Sequence, residues 1–255
     1  MTTNRSEGSL FTNVVGKIAT IEFGHPASNS FPSVLLERLT KELDRISLLE
    51  EISVIVLKSE GNRAFCAGAS FDELIAIDNL EDGKKFFSGF ANVINAMRSC
   101  SKLIIGAVQG KAVGGGVGLA AACDYALATE AASIKLSELT IGIGPFVIAP
   151  AVERKIGLAG FSELTMAATE WKTAYWAKEK GLFAKVFETQ DELSKETQLF
   201  AEMLAAYNPE ALKELKNTLW LGTEKWNHLL IERAEISGKL VLSNFTKNAL
   251  SKFKK

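Results

Sequence analysis

Three features of this sequence could do chemistry without a cofactor: glycines at 114–116, an Ala-Gly-Ala turn at 67–69, and Glu138 beyond both. The stretch Gly110–Gly118 reads GKAVGGGVG and opens a segment of small residues. Consecutive glycines lack Cβ atoms, so a ligand oxygen can come close to the backbone. The first N–H groups of a helix have no internal partner and carry partial positive charge. A helix beginning near Gly115 therefore makes an anion site that needs no charged side chain. Tight packing of helix on sheet is the other use of such glycines, and the residues alone leave both open. Asn62–Phe71, NRAFCAGASF, reads as strand, tight turn and helix, and would present the Ala69 N–H. An ordinary turn would look the same.

Other chemistries fit less well. Gly116–Ala121 satisfies a loose dinucleotide-binding pattern, with Glu138 where a ribose-binding acid would stand. In a dinucleotide fold the first glycine directly follows the first strand, whereas here a longer turn follows Val108 and strands precede it. Cys66 could be a nucleophile, but its neighbours are apolar and neither His25 nor His228 is close in sequence. A buried, inert thiol is the better reading. Two distant histidines and unpaired cysteines lack ligand spacing, so no metal site is expected.

The elements that must position these residues follow from hydrophobic spacing. Residues 11–23 alternate around Gly16-Lys17, a hairpin signal. Val34–Leu49 is helical, with Leu35, Leu36, Leu39, Leu43 and Ile46 on one face. Ile52–Leu57 and Leu103–Val108 read as buried strands. A helix is expected near 83–98, a small-residue helix at 115–123, and short strands at 125–128 and 133–136. After residue 146 the pattern is helical: 147–156, 160–168, 172–180, 191–206, 209–219 and 222–241. Strand–helix alternation followed by helices predicts an α/β core over 1–195 and a helical C-terminal region over 196–255.

Composition narrows the function classes. The chain has 255 residues, 47% hydrophobic and 23% charged, with net charge -1. That is enough chain to bury a core without disulfides or metals, and too little charge to capture nucleic acid or an acidic membrane. Three cysteines, an odd count, point to free thiols in a reducing compartment. No targeting segment or bilayer-spanning run is visible, so a cytoplasmic protein is expected. Trp171, Tyr175, Trp176, Trp220 and Trp226 fall in the helical region, where subunit contact is a better reading than a cofactor role.

Taken together, FCAGAS at 65–70, AVGGGVGLAAACDY at 112–125 and LSELTIGIGPF at 136–146 resemble the crotonase superfamily, the enoyl-CoA hydratase/isomerase group. The likeness runs from the first hairpin to the C-terminal helices. GGGVGL, followed by LSE and Ile141–Gly157, is similar to bacterial 3-methylglutaconyl-CoA hydratases. The resemblance implies a spiral of β-β-α units with a helical C-terminal oligomerisation region, assembled as a trimer or hexamer. It implies an acyl-CoA thioester substrate whose carbonyl sits between the Ala69 and Gly115 N–H groups. Such a fixed donor is typically worth about 10²–10³ in rate. Ala27, Ala67 and Gly68 would lie against the CoA portion, and the basic tail Lys252, Lys254 and Lys255 near its phosphates. No cofactor is expected beyond that CoA.

The family's hydratases carry two glutamates. One matches Glu138; the other position holds Gly118. Glu138 is then the sole evident acid–base group. A hydratase acting on a short or branched 2-enoyl-CoA, 3-methylglutaconyl-CoA included, is the leading expectation. A 3-enoyl-CoA to 2-enoyl-CoA isomerase using Glu138 alone, or a non-catalytic acyl-CoA-binding scaffold, are the alternatives. Lys135 and Arg63 are candidate partners for a distal substrate carboxylate.

Overall fold

A computed structural model describes residues 7–252 of the protein. Its main sheet begins with the hairpin β1 (Ser9–Val15) and β2 (Ile18–Gly24), whose turn is Gly16-Lys17 as expected. From β2 the sheet continues in parallel through β3 (Val54–Ser59), β5 (Leu103–Val108), β7 (Tyr125–Thr129) and β10 (Lys185–Phe187). A second sheet holds β4 (Ala64–Cys66), β6 (Lys111–Val113) and β8 (Ser133–Lys135) in parallel, with β9 (Lys172–Thr173) antiparallel at its edge.

Both faces of the main sheet are covered, which is why its strands read as continuous apolar runs. Along β3, Ile55 and Leu57 join the larger core while Val54 and Val56 face the other way. The larger core receives α1 (Ser33–Ser47), α3 (Leu80–Ser99) and α4 (Gly115–Ala122). The opposite face is covered by α7 (Gln190–Ala205) through Leu193, Ala201 and Ala205. In α1 the buried residues are Leu35, Leu36, Leu39, Leu43 and Ile46, the face that the spacing requires.

Several elements depart from the sequence reading. The helices expected at 147–156 and 160–168 are one element, α5 (Ala149–Met166), broken at Gly157 where φ is 68°. Lys172-Thr173 extends as a strand edge before α6 (Ala174–Glu179). The last expected helix is α9 (Trp226–Leu240), followed by a separate α10 (Asn244–Ser251) capped by the Ser243 side chain. Trp220 and Trp226 are buried against each other edge to face rather than offered to a partner; Trp171 and Tyr175 are exposed.

A buried polar cluster ties the C-terminal helices to the core. Asp124, just after α4, accepts from Lys216 Nζ at 2.7 Å, Trp220 Nε1 at 2.7 Å and the Ile104 N–H at 2.7 Å. Lys216 belongs to α8 (Pro209–Leu219) and also donates to the Met97 carbonyl at 2.8 Å. Lys155 of α5 donates to the Asp124 carbonyl at 2.9 Å. The end of α4 remote from its glycines is thus fixed from three sides.

Candidate active site

The three parallel strands of the small sheet end side by side, and each leads directly into one of the chemically interesting segments. After β4 comes Ala67-Gly68-Ala69, after β6 comes Gly114, and after β8 comes Leu136-Ser137-Glu138. Parallel strands bring loops at their C-terminal ends together, so residues far apart in sequence share one cleft. That cleft is a cavity of ≈ 270 Å³ lined by Gly68, Ala69, Gly114, Gly115 and Glu138, among others.

Hydrogen bonds orient the first turn. Phe31 donates to the Gly68 carbonyl at 2.8 Å and accepts from the Ser70 N–H at 2.9 Å, an isolated parallel bridge centred on Ala69. In such a bridge the central residue's own amide points away from its partner, so the Ala69 N–H is not used by Phe31, and Ala69 lines the cavity. Gly68 adopts φ +93°, a left-handed conformation, and a Cβ there would lie 3.0 Å from the Val113 carbonyl oxygen and 3.6 Å from the Gly115 nitrogen. The two turns therefore abut at backbone distance.

Each glycine of the triplet has its own reason. Gly114, with φ 53° and ψ -117°, caps α4 in a conformation that L side chains avoid, and a Cβ there would meet Glu138 Oε1 at 2.7 Å. A Cβ on Gly115 would run into the Phe90 ring, and one on Gly116 into the Cys66 carbonyl at 2.4 Å. Packing, one of the two uses the sequence left open, accounts for the absence of a side chain at each of the three. Gly115 opens the helix, so its N–H has no intrahelical partner and sits at the positive end of α4.

Glu138 starts a short 3-10 turn, Glu138–Ile141, instead of ending a strand. Gly142, in the left-handed region, closes that turn by donating to the Leu139 carbonyl at 3.1 Å. The residue is partly exposed, yet its Oε2 atom is enclosed and has no hydrogen-bond partner among the described residues. Burial pushes its carboxyl up to about 7 from the ordinary 4.5, offset in part by its own backbone N–H. Around it the walls are apolar: Phe86, Phe87 and Phe90 from α3, with Phe146 and Ile148 from the segment before α5. Sequence reading missed these walls, because α3 gave a helical period without saying which cavity its phenylalanines would line.

The remaining sequence candidates separate cleanly. Ala67 lines the cavity mouth, and its N–H donates to the Ser28 carbonyl at 3.1 Å, joining the loop that holds Ala27. Ala27 itself is exposed on that loop and does not line the cavity. Cys66 is buried, its thiol pushed up to about 12 by burial, and it accepts from the Gly68 N–H at 3.3 Å. It props the turn and is no nucleophile. Lys135 and Arg63, considered for a distal carboxylate, lie outside the cavity lining. Lys135 instead places its ammonium 5.0 Å from the Trp171 ring centre, as does Lys111. Lys254 and Lys255 lie outside the described residues. Among the described residues no group of three or more His, Cys, Asp or Glu could hold a metal ion, and no helix is long and apolar enough to cross a membrane.

Comparison with known proteins identifies the family and the fold. The model of the family Enoyl-CoA hydratase/isomerase matches residues 14–251. The chain belongs to that family. It is 28% identical to the short-chain-enoyl-CoA hydratase of Clostridium acetobutylicum, over 93% of this chain and 91% of that one. It is 33% identical to the mitochondrial methylglutaconyl-CoA hydratase of Rattus norvegicus, over 64% of this chain and 52% of that one. The crystal structure of enoyl-CoA hydratase from Bacillus halodurans shares the fold with a TM-score of 0.87, covering 95% of this chain and 99% of that one at 19% identity. The α/β crotonase fold expected from the sequence is therefore the fold observed. As a family member the protein is an enzyme of the hydro-lyase/isomerase type, and enoyl-CoA thioesters are its class of substrate.

Proposed function

We propose that this enzyme moves a proton within an enoyl-CoA thioester, converting a 3-enoyl-CoA to a 2-enoyl-CoA, with Glu138 as its only acid–base group. The observation that carries this reading is the enclosed, unpartnered Oε2 of Glu138 beside Gly114, in a cavity whose other walls are largely apolar. The thioester carbonyl accepts from the Ala69 and Gly115 N–H groups. The Glu138 carboxylate takes a proton from C2, the charge passes to the thioester oxygen, and the two donors hold it without reorganising. Glu138 then returns the proton at C4, and the double bond moves to C2–C3. A carboxyl held near neutrality suits both halves of that exchange.

The sequence placed hydration first. Hydration of a short 2-enoyl-CoA remains the second reading, supported by the 28% identity to a short-chain-enoyl-CoA hydratase over nearly the whole chain. The walls favour isomerisation, since a nucleophilic water needs several polar partners and a base. Among the described residues Glu138 is the only acid lining the cavity, and the other polar side chains there are the hydroxyls of Ser137, Thr140 and Ser237.

In this reading the acyl group is uncharged. Among the described residues no Lys, Arg or His lines the cavity, and a distal carboxylate buried there would stay unpaired at a cost of several kcal/mol. That argues against 3-methylglutaconyl-CoA as substrate. Ala67 and Gly68, with the adjoining Ala27 loop, would carry the CoA portion, and no further cofactor enters the reaction. Residues 1–195 would supply the chemistry and 196–255 the assembly into trimers or hexamers. In support, Ser237 is the only cavity-lining residue beyond 195 among the described residues, and Leu215, Leu219 and Leu221 are exposed on the helical region.

The test is turnover of 3-hexenoyl-CoA in heavy-oxygen water, read by mass spectrometry. A shifted double bond without label is the expected result. Predominant labelled 3-hydroxyacyl product would replace isomerisation with hydration.

A further inference from the structure

We propose that Ile148 decides the outcome of the reaction by keeping water away from the helix face that carries the oxyanion donor; this rests on the isomerase reading above. Gly118 lies three residues after Gly115 in α4, so the two occupy neighbouring positions on one helix face. A Cβ on Gly118 would sit 2.4 Å from Ile148 Cγ2 and 2.8 Å from Ile148 Cβ, with Ile94 Cδ1 at 3.7 Å. The side chain that position 118 lacks has been replaced in space by Ile148, contributed from thirty residues downstream. Ile148 lines the cavity and is 3% exposed, at the start of α5. Next to it on the same wall, Phe90 fills the space beside Gly115.

This wall offers no hydrogen-bond partner. A buried water makes about three hydrogen bonds, and small apolar cavities stay dry. Glu138 can provide one or two partners, and the cavity's other polar side chains are the hydroxyls of Ser137, Thr140 and Ser237. But a water placed on the Gly118 side of the cavity would face Ile148 and Phe90. Without that water the dienolate can only be reprotonated at carbon by Glu138. If water enters, the 2-enoyl product can be hydrated: the water oxygen bonds to C3, one water proton goes to Glu138, and a proton returns to C2. Water is consumed and nothing is oxidised or reduced. Ile148 occupies the space such a water would need and does not handle the transferred proton, which makes it a determinant of product rather than of rate.

The experiment compares Ile148→Ser and Ile148→Val with wild type on 3-hexenoyl-CoA in heavy-oxygen water. The ratio of labelled 3-hydroxyhexanoyl-CoA to unlabelled 2-hexenoyl-CoA is taken from one spectrum and is independent of how much enzyme is folded. Ile148→Ser adds both space and a hydroxyl partner, and should raise that ratio by roughly tenfold or more. Ile148→Val adds only apolar space and should leave it within about twofold, because such space stays dry. Should Ile148→Ser not fold, the near-isosteric Ile148→Thr should move the ratio in the same direction. An unchanged ratio in the hydroxyl variants, or an equal rise in Ile148→Val, overturns the role of Ile148 and leaves the isomerase reading standing. Wild type that already yields mainly labelled product, or turns over no enoyl-CoA, overturns both.

Discussion

Asp124 and Glu138 both bury a carboxyl group near an end of the same helix, α4, and the protein treats them in opposite ways. Asp124 receives a lysine, an indole N–H and a backbone N–H, each at 2.7 Å. Glu138 Oε2 receives nothing from the described residues. A buried carboxylate with its hydrogen bonds made serves as a fixture. An unsaturated one pays desolvation in the charged form and is left close to the point where it can gain or lose a proton. The first holds the far end of α4; the second waits at the near end, where α4 presents Gly115. Full satisfaction builds the scaffold, and its deliberate absence makes the site.

The comparison breaks most visibly on exchanging the two roles. Glu138→Gln keeps the shape and removes the proposed proton carrier. Turnover of a 3-enoyl-CoA should fall by about 10²–10⁴, while the melting temperature at low pH stays close to wild type. If kcat/KM were unchanged, Glu138 would not be the proton carrier. Asp124→Ala leaves the Lys216 ammonium buried without its partner, since both side chains are nearly inaccessible. Unfolding free energy from a urea titration should drop by roughly 3–5 kcal/mol, with kcat per folded molecule little changed. A loss of kcat larger than the loss of folded protein would mean that the fixture takes part in the chemistry.

A third effect concerns stability and pH. The Glu138 carboxyl is ordinarily near 4.5 and is held at about 7 in the folded protein by burial. The native state therefore binds a proton that the unfolded chain has released over that window. Stability contributed by Glu138 is complete below pH 4.5, declines as pH rises toward 7, and is lost above it. The decline is on the order of 3 kcal/mol across the window. Denaturant titrations of wild type and Glu138→Gln between pH 4.5 and 8 should show a gap that opens with pH in favour of the variant. Parallel curves would place the carboxyl in water.

Much of this was legible in the sequence, and the remainder has a physical reason for being hidden. The apolar run Ile52–Leu57 and the Leu35–Ile46 face required a buried strand and an amphipathic helix; both formed, the strand two residues later, at Val54–Ser59. The strands of the small sheet, three residues each at Ala64–Cys66 and Lys111–Val113, are too short to show a period, so their shared edge was invisible. Its consequence, three loops meeting in one cleft, came through only as three motifs in a familiar order. Gly118 could be seen to lack a side chain, but Ile148 as the residue filling its place depends on how α5 docks on α4. The same limit applies to α10, where Phe245 and Thr246 pack against Gly142 at the end of the Glu138 turn.

The most direct measurement is the titration of Glu138 itself. Carbon-13 spectra of glutamate-labelled protein, with the Glu138 carboxyl resonance assigned by its loss in Glu138→Gln, give its ionisation without any assumption about substrate. The account predicts a midpoint near 7, well above the ordinary 4.5. A midpoint at the ordinary value would contradict it, because a hydrated or partnered carboxyl at this position could not be the poised proton carrier that distinguishes Glu138 from Asp124.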